Sequence, residues 1–137
     1  MKKMKDLYGY QPDMSTNDNL VLWFNHMLEK RVSDFTIPDV CRSLRQNIFI
    51  EQAVQAGISY MMSDPFAGEL WKGEIANKFA DIPSEYITRY KEPLIRIIKA
   101  ANNIIQSEQW EDEEEKNDIL EIFERLNKKV TVSAVTK

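Results

Sequence analysis

One apolar stripe between residues 50 and 62 constrains the fold of this chain more strongly than any other feature. Its members recur at i, i+3 and i+4 spacing: Ile50, Ala53, Val54, Gly57, Ile58, Met61 and Met62. This spacing predicts a helix with one buried face. Glycine inside a helix costs about 1 kcal/mol relative to alanine, so we expect Gly57 to admit the close approach of another helix. Pro65 is expected to stop the helix, because the residue before a proline is disfavoured in the α region.

Similar stripes predict five further helical segments along the chain. They lie near residues 20–28, 35–46, 73–79, 93–105 and 111–128. Ser15, Thr16 or Asn17 is the expected cap of the first, because short polar side chains accept hydrogen bonds from the first helical N–H groups. Thr36 and Asp39 suit the start of the second, and Pro38 fits its first turn.

The pattern therefore predicts an all-α fold, a compact single-domain bundle of about five to six helices over residues 1–137. Residues 1–14 are expected to form an irregular lead-in. Residues 129–137 are expected to form a tail or a short strand, since VTVSAVTK is rich in β-branched residues. Five apolar side chains are predicted to lie in the core: Leu44, Val54, Ile58, Met61 and Ile98.

Length and charge exclude several classes of protein. A chain of 137 residues suits one domain. The net charge of −4 argues against a protein built mainly to bind nucleic acid. No run of about 18 apolar residues occurs, so no membrane span is expected. The start, MKKMKDLYGY, lacks the apolar stretch of a secretory signal, so a cytoplasmic location is predicted.

The sequence offers no constellation for catalysis. His26 is the only histidine and falls off the apolar stripe of its helix, where no partner for a general base is evident. Cys41 is the only cysteine and sits in an apolar helical pattern, which favours a buried, inert thiol. One histidine cannot build a histidine-based zinc site. We therefore expect no enzyme activity, no catalytic residue, no metal site and no cofactor.

An acidic segment is the one compositional outlier. Residues 108–124 hold nine acids and one base, a net charge of −8, so the rest of the chain carries +4. One interpretation is a solvated helix start, since acids stabilise helix N-termini. The other is a surface that steers a cationic partner, because contiguous like charges exceed what capping requires. The candidate contact residues here are Glu108, Glu111, Asp112, Glu113, Glu114, Glu115 and Asp118.

Two other places are candidate contacts. The loop from Trp71 to Glu74 joins an aromatic side chain to a carboxylate, and tryptophan is enriched in protein interfaces. Arg42 and Arg45 are three residues apart on one helix face and could bind phosphate. Pairing of these arginines with Asp39 or Glu51 is the simpler expectation.

The stretch from Phe35 to Phe79 carries an ordered set of short motifs. They are Phe35-Thr36 with Asp39, then Arg45-Gln46, Asp64-Pro65-Phe66 and Gly73-Glu74-Ile75. In this order they resemble the immunity proteins of bacterial contact-dependent growth inhibition systems. The chain departs from the family pattern after the Arg45-Gln46 region, where the family usually has Gly-Leu and this chain has the run Asn47-Ile48-Phe49-Ile50.

The resemblance implies a protein that binds and neutralises the C-terminal toxin domain of a cognate contact-dependent effector. Many such toxins are nucleases, some cleaving tRNA, so the implied partner has a basic active face. The shared motifs look structural, and no binding residue is carried over from them. The competing hypothesis is a small helical adaptor or regulatory subunit without a toxin partner. A toxin gene immediately upstream would favour the first hypothesis.

Overall fold

The computed structural model describes residues 1–135, with side chains described through Val132. In this part of the chain there are seven α-helices and no named strand. The predicted all-α class is confirmed, with one helix more than the upper expectation. The helices are α1 Met4–Tyr8, α2 Asn19–Leu28, α3 Ile37–Gln46, α4 Ile50–Ser63, α5 Glu74–Asp81, α6 Lys91–Ser107 and α7 Glu113–Val135. The residues group into two compact units, Met1–Thr36 and Ile37–Lys137.

The first unit contains α1 and α2. The segment expected as an irregular lead-in is partly helical, because Met4 is buried and its N–H donates to Lys30 O at 2.9 Å. Lys3 and Lys5 both pair with Glu29, with N–O distances of 3.1 and 2.9 Å. The cap of α2 is Asp18, which accepts hydrogen bonds from Leu20 N and Val21 N. The expected caps Ser15, Thr16 and Asn17 were wrong, because the helix begins later, at Asn19.

The second unit packs α3 to α7 around one core. The five predicted core residues are buried, and α4 contributes three of them. Gly57 of α4 has the expected role, since a Cβ there would lie 3.0 Å from the Phe79 ring and 3.2 Å from Ile75. The prediction for Met62 was wrong. Its side chain is 50% exposed, because it lies at the last turn of α4, rotated away from buried Met61.

Between α3 and α4 the backbone takes two left-handed residues, Asn47 at φ 58° and Phe49 at φ 53°. Asparagine tolerates this region better than most residues other than glycine. Asn47 is therefore compatible with the sharp turn between α3 and α4.

The helix α7 runs through residues that were expected to form a β-prone tail. Residues 129–135 continue the helix, while residues 136–137 lie outside the described part. Val130 is buried, as are Ile119, Ile122, Phe123 and Leu126. Tertiary packing of this apolar face outweighs the lower helix propensity of β-branched residues, which is a fraction of 1 kcal/mol each.

Candidate functional site

A groove of about 550 Å³ lies in the second unit, beside the first half of α7. Six acids line it: Glu111, Asp112, Glu114, Glu115, Asp118 and Glu121. Two bases, Lys72 and Arg125, bring its net charge to −4. The remaining lining residues are Trp71, Asn77, Ile119 and Ile122. The groove thus joins the acidic segment to the loop before α5.

The helix α7 is fixed by its buried face and by Gly73. Gly73 adopts φ 84°, and a Cβ on it would lie 2.9 Å from Cδ1 of Ile119. A side chain at this position would therefore push α7 away from the loop. The close approach sets the width of the groove between Trp71 and the acids of α7.

Two of the acids make local hydrogen bonds at the start of α7. Oδ1 of Asp112 accepts from Glu115 N at 2.8 Å, and Oε1 of Glu115 accepts from Glu111 N at 3.3 Å. The first bond satisfies an N–H group that the helix start leaves without an intrahelical partner, and the second ties Glu115 to the backbone two residues before the helix. Local hydrogen bonding at the helix start therefore accounts for Asp112 and Glu115. It does not account for Glu114 and Asp118, which lie one turn apart and make no ion pair among the described residues.

Lys72 stands at one end of the groove, against an aromatic cluster. Its Nζ lies 5.0 Å from the centroid of the Trp110 ring and 3.5 Å from Oε2 of Glu108. The Trp110 ring packs edge-on against Phe66, with centroids 5.6 Å apart, and Phe66 packs in the same way on Phe123. Trp110 Nε1 donates to Ile105 O at 3.2 Å. This cluster holds the segment between α6 and α7 in place.

Arg125 lines the groove on α7, downstream of the acidic residues. Its guanidinium lies 3.0 Å from Oδ1 of Asp81 and 3.9 Å from Oε1 of Glu121, and it also donates to the Asn77 side chain. These contacts join α7 to α5. Because Arg125 is already engaged by α5, the acids nearer the start of α7 keep most of their charge uncompensated.

The loop before α5 is shaped by a buried carboxylate. Glu74 is 1% exposed, and its Oε1 accepts from Glu69 N at 2.8 Å and from Leu70 N at 2.9 Å. Its other oxygen lies 4.0 Å from Nη1 of Arg45. Hydrogen bonds and a partly exposed cation thus compensate the cost of burying this charge.

These pairings correct one expectation for the arginines. Arg45 pairs with Glu74, while Glu51 pairs with Arg89 at 3.2 Å. The predicted pairing of Arg45 with Asp39 or Glu51 was therefore wrong. The motifs Arg45-Gln46 and Gly73-Glu74-Ile75, separate in sequence, meet in the fold.

Six of the nine predicted contact residues line the groove. Five belong to the acidic segment, and the sixth is Trp71. Glu108 pairs with Lys72 beside the groove, and Glu113 is exposed but does not line it. Glu74 is buried, so it shapes the loop and is not itself a contact surface.

The residues Glu121, Arg125 and Asn77 were not predicted to line the groove, and Lys72 was included only as part of the loop from Trp71 to Glu74. For the first two a signal existed. Asp118, Glu121 and Arg125 are three and four residues apart, which places them on one face of a helix. Nothing local in the sequence indicated Asn77, which reaches the groove only through the packing of α5 on α7.

His26 and Cys41, the two groups considered for catalysis, belong to different units. His26 is exposed on α2, and Cys41 is buried on α3. Burial raises the pKa of the Cys41 thiol to about 11, with smaller opposing and reinforcing effects from Glu69 and Glu74. Among the described residues no group of three or more histidine, cysteine, aspartate or glutamate side chains is arranged to hold a metal ion.

The matched region decides the family. Residues 6–97, about two thirds of the chain, match the family described as CDI immunity proteins. The chain belongs to this family of immunity proteins. A sequence search finds no match among curated proteins. The family match includes the Arg45–Glu74 pair and Trp71, and it ends before α7 begins at Glu113.

Membership in the immunity family implies a toxin protein as the cognate partner. Within the described residues, no helix of this immunity protein is both long and apolar enough to cross a bilayer.

Proposed function

We propose that this immunity protein neutralises a toxin domain with nuclease activity by binding its basic face through the acidic groove. Transfer RNA is a candidate substrate of that toxin. The toxin partner follows from the family, and the nuclease activity is our extension of it. The observation that carries the proposal is the meeting of Glu111, Glu114 and Asp118 with Trp71 in one groove.

Charge supports this choice of face. A nuclease has to bind phosphates, so its active surface carries lysine and arginine side chains. A groove with net charge −4 is complementary to such a surface and would speed the encounter of the two proteins. Occupying the basic face would also exclude the nucleic acid substrate.

One side of the groove lies within the range that matches the family, and the other side lies beyond it. Its Trp71 side lies within the matched range 6–97, and its α7 side lies outside it. Under this proposal the α7 acids distinguish the cognate toxin from others.

The mode of action is stoichiometric and takes place in the cytoplasm of the cell that makes the protein. His26 is exposed and Cys41 is buried, and the thiol of Cys41 stays protonated at neutral pH because its pKa is raised. One immunity protein would therefore silence one toxin domain. An adaptor without a toxin partner is the alternative, and it predicts no binding to a toxin domain encoded next to this gene.

The test measures how the cognate toxin domain associates with a variant in which three groove acids are replaced by their amides. The variant Glu111→Gln/Glu114→Gln/Asp118→Asn changes the groove charge from −4 to −1. Its matched control, Glu92→Gln/Glu113→Gln/Glu124→Gln, removes the same charge from exposed positions that do not line the groove. Association rates are measured at low and physiological ionic strength by stopped-flow fluorescence.

We expect the groove variant to associate about tenfold more slowly at low salt and to lose most of its salt dependence. The control should change both quantities far less. Equal effects of the two variants would mean that the overall acidic charge of the protein, and not the groove in particular, attracts the toxin domain. Absence of binding by the wild-type protein would favour the adaptor hypothesis.

A further inference from the structure

Leu70 and Trp71 are large apolar side chains that stand exposed next to each other, at 72% and 43% of their surface. We propose that they form an apolar anchor that inserts into an apolar pocket next to the toxin's basic face. The inference rests on the proposed function, and it assigns to these two residues a role separate from that of the acids. Leu70 itself does not line the groove, whereas Trp71 does.

The backbone that presents the anchor is held from inside the protein. The N–H groups of Glu69 and Leu70 both donate to Oε1 of the buried Glu74. Farther along the loop, Gly73 N donates to Phe66 O at 2.8 Å and Ile75 N donates to Ala67 O at 3.2 Å. Hydrogen bonds within the same segment therefore hold the loop backbone at both of its ends.

Gly68 shows how tightly the loop is folded. A Cβ at this position would lie 2.2 Å from Trp71 O and 2.7 Å from Cβ of Glu74. Only glycine fits at position 68, because two segments of the loop backbone approach each other this closely there. A loop fixed before binding loses less conformational entropy when the partner arrives. An exposed leucine on such a loop therefore loses less conformational entropy on binding than one on a mobile segment.

The partner is identified by charge and by continuity. Trp71 lines the groove with net charge −4, so a protein that covers the anchor also faces the acids. A second copy of this chain would bring the same acidic groove to the contact, and like charges across an interface are unfavourable. A basic-faced toxin domain meets both requirements. An apolar, aromatic centre beside a charged rim is also the usual arrangement of binding energy in protein interfaces.

The anchor and the acids should then act on different rate constants. Charged groups at a rim change mainly the association rate, whereas buried apolar contacts change mainly the dissociation rate. The test compares Leu70→Ala and Trp71→Ala with Met62→Ala, which removes an exposed apolar side chain elsewhere in the same unit. On- and off-rates against the cognate toxin domain are measured by biolayer interferometry at two salt concentrations.

We expect each anchor variant to dissociate about tenfold faster or more, with its association rate and salt dependence near those of wild type. Met62→Ala should leave both rates unchanged. Off-rates of the anchor variants equal to that of Met62→Ala would overturn the inference. If the neutralised groove still slows association in that case, the proposed function stands and only the anchor fails.

Glu74 should act as a positioning residue for the anchor. Glu74→Gln keeps a side-chain oxygen that can accept from Leu70 N, and it should dissociate at nearly the wild-type rate. Glu74→Ala removes that acceptor and should dissociate faster, with its helical content checked by circular dichroism. Equal off-rates for folded Glu74→Ala and Glu74→Gln would contradict this positioning role. Where Glu74→Ala does not fold, the Leu70→Ala off-rate decides the proposal.

Discussion

The Lys72 ammonium lies over the face of Trp110, with Nζ 5.0 Å from the ring centroid. The same group lies 3.5 Å from Glu108, so it ties the loop before α5 to the segment before α7. It is also one of two bases in an otherwise acidic groove. Lys72 therefore contributes to local packing while it reduces the charge that a cationic partner meets.

Neutralising Lys72 should weaken the fold slightly and speed toxin binding. The ion pair is partly exposed and, with the cation–π contact, is worth about 1 kcal/mol. Lys72→Gln changes the groove charge from −4 to −5, so association with a basic toxin should be faster and more salt-dependent. Lys99→Gln, at an exposed position on α6, is the control. Slower association of Lys72→Gln would mean that Lys72 itself contacts the toxin.

A methyl group at Gly57 should destabilise the protein although alanine is the better helix former. The gain in propensity is about 1 kcal/mol, but the new Cβ would lie 3.0 Å from the Phe79 ring and 3.2 Å from Ile75. Overpacking costs typically 1–3 kcal/mol, so we expect Gly57→Ala to lose roughly 1 kcal/mol in urea unfolding. In a double-mutant cycle Phe79→Leu should relieve part of this loss. Strict additivity of the two changes would argue against the contact.

The buried thiol of Cys41 should make the protein less stable in alkaline solution. Its pKa is raised from 9.0 to about 11 in the folded state, so its contribution to stability is fully present below pH 9. It is lost as the pH rises from 9 to about 11, because the unfolded chain releases the proton first. The loss is on the order of 2 kcal/mol.

Cys41→Ala isolates this effect from the lysines and tyrosines that titrate in the same range. Urea unfolding of both proteins at several pH values between 8 and 11 should give a shallower fall for the variant. Parallel curves for the two proteins would show that the thiol does not contribute.

Placing a charge at Ile58 should unfold the protein. Ile58 is 8% exposed in the core of the second unit, and an unpaired buried carboxylate costs several kcal/mol in addition to the lost apolar burial. The sum is comparable to the whole stability of a typical domain, about 5–15 kcal/mol. Ser59→Asp, at the exposed neighbouring position, should keep its helical circular dichroism. A folded Ile58→Asp protein would show that α4 tolerates exposure of this face.

The helices of the second unit were predictable because their burial repeats with the period of the helix itself. The stripe around Val54 and Ile58 identifies α4 from neighbouring residues alone. The end of α7 was not predictable in this way. Its β-branched residues favour extended structure locally, and only burial of Val130 against the core keeps them helical.

The candidate site, too, could be predicted from the sequence only in part. The acidic segment stands out in composition, so its residues could be named from the sequence. Its position beside Trp71 depends on the close approach of Gly73 to Ile119, residues that are far apart in the chain. No local pattern predicts a contact of that kind, and the roles of Lys72 and Arg125 were missed for the same reason.

The ammonium group of Lys129 on α7 donates to three carbonyls at the end of α5, those of Phe79, Ala80 and Ile82. These carbonyls belong to the helix end that has no intrahelical donors, and the donor that reaches them lies 47 to 50 residues later. Completion of α5 therefore waits for a distant part of the chain. Closing such long loops slows folding more than forming helices does, so we expect the docking of α7 to be a slow step in the folding of this immunity protein.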